Sequence, residues 1–208
     1  MSDIFEQLGL DKSTYEEAEE QTVRPAFEVL PSAAYKAEIK LLATFTTDSG
    51  AGMLICTIGI PSEDRDITIY QNTKKKDGTA NDIGTATFKH IIQATNVDSS
   101  ALTVKKEEIT AYGKKVEGSV VKGVAGKPLM ALVRHVHEEG SKFENSNEVE
   151  AWAKADGTNS KGEDLIATFN EKIEKSPILE RKAKAGSGGN AATKAESSGT
   201  SKDVAGML

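Results

Sequence analysis

The chain has one cysteine, five prolines and one tryptophan, and aromatic residues make up 5% of its 208 residues. A lone cysteine excludes an intramolecular disulfide and a zinc site built on several thiolates. Cys56 lies inside the apolar run Met53 to Ile60, which marks a buried structural thiol rather than a nucleophile and suits a reducing, cytoplasmic compartment. No apolar run approaches the roughly 18 residues of a membrane span; the longest, Met53 to Ile60, is interrupted by Thr57 and Gly59. The first residues include Asp3 and Glu6 where a signal peptide is basic and then apolar, so neither export nor a membrane partner is expected. Catalytic signatures are missing too. There is no phosphate loop ending in Gly-Lys-Ser, no Gly-x-Ser-x-Gly elbow and no His-Glu-x-x-His, and Gly50-Ala51-Gly52 is too short for a dinucleotide site. The expectation is a non-enzymatic protein without a cofactor.

What is present is unevenly spread charge. Residues 1–24 hold seven acids (Asp3, Glu6, Asp11, Glu16, Glu17, Glu19, Glu20) against Lys12 and Arg24, a balance of −5 out of the chain's −6. Residues 185–208 balance to zero, so residues 25–184 carry −1 with local lysine clusters. An acidic sum therefore does not exclude a nucleic-acid partner. Residues 1–24, with a short helix over Thr14 to Gln21 closed by Pro25, read as a mobile acidic segment. Residues 183–208, rich in Gly, Ser and Ala without periodicity, read as a disordered tail. Between them, residues 25–182 read as the folded domain.

Tyr35 to Leu41 alternates apolar and charged residues, the period of a strand with one buried face. Met53 to Ile60 reads as a second, largely buried strand, and Asp66 to Tyr70 as a short third. Phe88, Ile91, Ile92 and Thr95 then recur at helical spacing within Thr85 to Asn96. Residues 98–127 are polar and glycine-rich, an irregular excursion that leaves room for a short helix or hairpin. Pro128 to His137 and Glu148 to Lys154 read as fourth and fifth strands, and Asp164 to Lys175 as a helix with Leu165, Ile166, Phe169 and Ile173 on one face. The fold expected is mainly β: a five-stranded OB-fold-like barrel with a helix between strands 3 and 4 and a C-terminal helix.

Three stretches resemble phage single-stranded DNA-binding proteins encoded near replication and recombination genes. They are Leu30-Pro31-Ser32-Ala33-Ala34-Tyr35-Lys36-Ala37-Glu38-Ile39, Gly126-Lys127-Pro128 running into Met130-Ala131-Leu132-Val133, and Phe143-Glu144-Asn145-Ser146-Asn147-Glu148-Val149. The similarity covers roughly residues 27–156. It implies a protein of the host-cell cytoplasm that coats single-stranded DNA in phage replication or recombination, and that contacts replication or recombination proteins through its tails. The chain departs from the group in its tail, where the C-terminal tip Val204 to Leu208 follows a single acid, Asp203. A rival from another class is a virion structural or decoration protein that binds no nucleic acid. Others are a small nuclease and a binder of duplex DNA or RNA.

Single-strand binding needs cations that follow phosphates and aromatic faces that stack on bases. On a barrel of this kind they lie on strands 2 and 3 and in the loops after strands 1 and 4. Phe45 sits at the mouth of the first loop, and Lys142 and Phe143 lie in the other. Arg65 and Tyr70 flank the third strand, with Lys74, Lys75 and Lys76 beyond it, and Tyr112 with Lys114 and Lys115 repeats the pairing of aromatic and base. Arg134 and Trp152 complete the candidate set. Each has a plain alternative: Phe45, Phe143 and Trp152 as core, Lys74 to Lys76 as a solvated turn. His135 and His137 point to one face of a strand, where they either hold a metal with Glu138 or His90 or form a polar outer surface, the reading preferred here. Asp64 and Asp66 on a turn carry only a weak magnesium signal.

Overall fold

The computed structural model describes residues 29–141 and 144–182. The expected mobile segment 1–24, the tail 183–208, and Lys142 and Phe143 lie outside them. Among the described residues no helix is long and apolar enough to cross a membrane.

The chain builds one eight-stranded sheet and two longer helices: β1 (Ala33–Thr46), β2 (Gly52–Ile60), β3 (Arg65–Lys74), α1 (Asp82–Ala94), β4 (Thr103–Ala111), β5 (Lys114–Lys122), β6 (Pro128–Glu139), β7 (Asn145–Ala153), α2 (Leu165–Lys175) and β8 (Ile178–Lys182). β2 pairs antiparallel with β1 and with β3. The other edge of β1 is shared: Ala33 to Glu38 pair with β6, and Ala43 to Phe45 pair with β5. β6 also pairs with β7 and, in parallel, with β8.

β1 serves two cores because its alternation changes phase. Ala37 and Ile39 face the main core; the register then slips between Ile39 and Leu41, so that Leu42 returns to the main core while Ala43 and Phe45 face the opposite side. β2 is apolar on both faces for the same reason. Leu54, Cys56, Ile58 and Ile60 enter the main core, and Met53 and Ile55 join Phe45 in a second cluster roofed by Ile109, Ala111 and Val120 of β4 and β5. A strand covered on both sides reads as a continuous apolar run. The α1 stripe is the one expected: Ile91 is fully buried, Phe88 and Ile92 pack on the main core, and Asn81 Oδ1 caps the helix by accepting from the Ile83 amide at 3.1 Å. α2, capped by Asp164, lays Phe169, Leu165, Ile166 and Ile173 on Met130, Leu132 and Ala153.

Burial of Cys56 pushes its thiol up to about 12 from an ordinary value near 9. The folded state therefore keeps a proton that the unfolded state releases, so stability falls as pH rises from about 9 towards 12 and is unaffected by this group below that window. Alkylation by a thiol reagent is expected to proceed at pH 8.5 only as fast as the protein unfolds, checked by comparing labelling rates with and without denaturant (about a quarter of a thiol titrating near 9 is ionised there). Rapid native-state labelling would contradict burial.

Two expectations are corrected and one is resolved. The sheet has eight strands, not five. Residues 98–127, expected as an irregular excursion with room for a short helix or hairpin, hold the short 3-10 turn Ser99–Ala101 and then an ordered hairpin, β4–β5. Its outer face is tied by Lys106–Glu117 (3.0 Å) and Lys115–Glu108 (2.8 Å), while Lys122 pairs with Glu107 (2.6 Å) on the face that also carries Ile109 and Val120. Its tip is the two-residue turn Tyr112-Gly113, both at positive φ (52° and 74°). Finally, the path β3-β2-β1-β6-β7 does not close into a barrel: no ladder joins β3 to β7 among the described residues, and a cleft of about 660 Å³ lies between them.

Candidate nucleic-acid interface

β3 carries Tyr70 opposite Ile55 of β2, on the side of the sheet that the β4–β5 hairpin covers. The hairpin tip brings Tyr112 onto it. The rings stack at 4.1 Å and 17°, and the Tyr112 amide donates to the Tyr70 hydroxyl at 3.1 Å. Phe45 meets Tyr112 edge-on at 6.1 Å and 68°. A left-handed backbone costs a side-chain-bearing residue about 1–2 kcal/mol, and the stack and hydrogen bond offset that cost at Tyr112. Tyr112 is 45% exposed, more than any other aromatic residue among those described. Burial, and then the neighbouring Tyr70, raise its pKa, so the phenol stays neutral across the physiological range.

Cations lie close by in sequence and strand. Lys114 follows the turn, exposed and without an ion pair among the described residues, whereas Lys115 is held by Glu108. Lys74 ends β3 four residues beyond Tyr70, about 13 Å along the strand. Lys75 and Lys76 continue into a tight turn: the Lys75 amide donates to the Thr79 carbonyl and the Gly78 amide to the Lys75 carbonyl. Asp77 braces it by accepting from the Thr79 hydroxyl and amide, and these two hydrogen bonds lower its pKa. The three lysines are exposed, which fits both readings of this turn.

The remaining candidates fall elsewhere. Phe45 is 7% exposed and belongs to the second core cluster, so it supports Tyr112 from below. Trp152 is 8% exposed in the main core. Arg134 is buried: Nη2 donates to the Ser176 carbonyl at 2.7 Å and Nε lies 3.8 Å from Glu150. This arginine ties α2 to the sheet and has no surface to offer a phosphate. Arg65 begins β3 opposite Ile60, at the end away from the lysines. His135 and His137 both contact Asn145 Oδ1, at 3.0 and 3.2 Å, and among the described residues no three His, Cys, Asp or Glu side chains are grouped to hold a metal ion.

Sequence reasoning missed two things. The stacking of Tyr70 on Tyr112, 42 residues apart, leaves no local pattern. The cleft between β3 and β7, lined by His90, Gln93, Lys154 and Lys161 as well as the two strands, needed the open sheet to be seen. No protein-family model and no curated protein matches the chain.

Proposed function

We propose that this protein binds single-stranded DNA with little base preference, by stacking on Tyr112 and by lysine–phosphate contact, in phage DNA replication or recombination. The observation that carries the reading is the exposed Tyr112, held against Tyr70 on the outer side of β2–β3, with Lys114 and Lys74 to Lys76 nearby and without ion pairs among the described residues. Every base has a π-face, so a fixed aromatic platform tolerates any sequence, and free cations supply the sequence-independent part of the affinity. The strand order β3-β2-β1-β6-β7, with a helix after β3, supports an OB-fold-like lineage opened between its third and fifth barrel strands. In that reading the β4–β5 hairpin is an addition that provides the stacking residue.

Tyr112→Ala is expected to weaken binding of a labelled oligothymidine by about 5- to 100-fold, the effect of removing one stacked base. Fluorescence anisotropy checks this, and unchanged affinity would remove Tyr112 from the interface. Replacing Lys74, Lys75 and Lys76 together by glutamine should reduce the salt dependence of binding, by up to about 0.7 in log–log slope for each phosphate no longer neutralised.

A further inference from the structure

We infer that two copies of this chain associate through the outer edge of β4, in antiparallel pairing about a two-fold axis at Glu107. The inference goes beyond the DNA-binding reading and does not depend on it.

β4 ends the strand order β3-β2-β1-β5-β4, and among the described residues β5 is its only ladder partner. Tyr112-Gly113 closes the hairpin as a two-residue turn, so Ala111 and Lys114 exchange hydrogen bonds and the alternation runs back from there. Thr103, Lys105, Glu107 and Ile109 therefore turn their backbone groups to β5. Val104, Lys106, Glu108 and Thr110 turn theirs outwards, and all four are exposed, Val104 to 64%.

An outward row of N–H and C=O groups is a template for another strand, and charged side chains normally blunt it. The charges of β4 repel a copy in the neighbouring registers and attract it in one. A slip of one residue would set the outer face of one copy against the core-facing row of the other, so a copy shifts only by two residues, which moves the axis by one. An axis at Lys106 sets that lysine against its own copy, and an axis at Glu108 sets the two carboxylates against each other. An axis at Glu107 puts Lys106 opposite the partner's Glu108, and Val104 opposite the partner's Thr110, twice each.

The outer face then reads Glu117, Lys106, the partner's Glu108 and the partner's Lys115, alternating in sign and continuing the ion pairs already inside each hairpin. On the other face the two Glu107 carboxylates meet. Each keeps Lys122 at 2.6 Å and gains the partner's Lys105 as a diagonal neighbour, a lysine that is exposed and without an ion pair among the described residues. The four outward pairs exchange two backbone bonds each, about eight in all. A two-fold contact is closed, so association stops at the dimer. Strand pairing of this length is a small interface, under about 1,200 Å², so the dimer should dissociate on dilution.

Sedimentation of the full chain over a concentration series tests the inference, with Lys106→Glu and Glu108→Lys run alone and mixed. Wild type should pass from monomer to dimer as concentration rises. Each reversal alone sets like charges across both outer pairs and should raise the dissociation constant on the order of tenfold. An equimolar mixture of the two variants should restore association, because each altered row then meets its complement, and the rescue certifies both folds. Cysteines read the register. Glu107→Cys places two thiols on a non-hydrogen-bonded pair, about 4.5 Å apart at Cα, and should cross-link under mild oxidation. Lys105→Cys, about 13 Å from its own copy, should not. A wild-type monomer at every concentration overturns the inference. So does a dimer indifferent to both reversals, or one that cross-links equally well through Lys105→Cys. These outcomes are independent of oligothymidine binding.

Discussion

Arg134→Ala is expected to destabilise the protein by about 3–5 kcal/mol, the range for breaking a buried charged contact by removing one partner. The guanidinium is 2% exposed and sits where β6, β7 and the end of α2 converge. Truncation removes its hydrogen bond to the Ser176 carbonyl, empties the space it fills, and leaves Glu150 with Lys172 as its remaining ion-pair partner among the described residues. Nε and Nη1 have no hydrogen-bond partner there, so the head group is only partly compensated. Arg134→Met keeps most of the volume and abandons those two polar atoms, and should cost less, about 1–3 kcal/mol for the missing hydrogen bond. Urea unfolding of the three chains measures both values. An alanine cost below about 1 kcal/mol would show that α2 is held by its apolar face alone.

Gly84→Ala is the second large effect, and its sign runs against helix propensity. In an ordinary helix interior alanine is favoured over glycine by about 1 kcal/mol. Here a Cβ would stand 1.8 Å from the Asn72 carbonyl oxygen and 2.6 Å from its carbon, both backbone atoms of β3. Neither is the far end of a flexible side chain, so α1 has to lift away from the sheet, at a cost of about 3 kcal/mol. The Ile83→Ala control, at a site 59% exposed, should stay within about 0.5 kcal/mol of wild type. A stabilised Gly84→Ala protein would mean that α1 sits further from β3 than these distances require.

How far the fold was legible depends on how many faces each element buries. β1 and α2 announce themselves because an apolar stripe alternates with charge, and β6 because Leu129 to Val133 is a continuous apolar run buried on both faces. The β4–β5 hairpin does not, because Lys105-Lys106-Glu107-Glu108 places like residues side by side and hides the period of two, while only Ile109 and Ala111 of β4 reach a core. β8 is five residues with one half-buried side chain, Leu179, and exists because β6 runs on past the end of its pairing with β1. Arg134 looks like a surface cation in sequence; what buries it is the end of α2, 42 residues away. The expected barrel failed at its last pairing for a related reason, since strand order can be read locally and closure cannot. Of the candidate site, the neighbours Tyr70 with Lys74 to Lys76 and Tyr112 with Lys114 were visible, but not that the two aromatics form one platform.

Single-strand binding itself is tested by titrating the full chain with an unstructured oligothymidine at two salt concentrations, with duplex DNA as competitor. Tyrosine and Trp152 emission report the binding. The complex is expected to weaken as salt rises and to be displaced poorly by duplex. No binding at low salt, by either the full chain or one lacking the acidic residues 1–24, would contradict single-strand binding and leave the structural-protein reading in front.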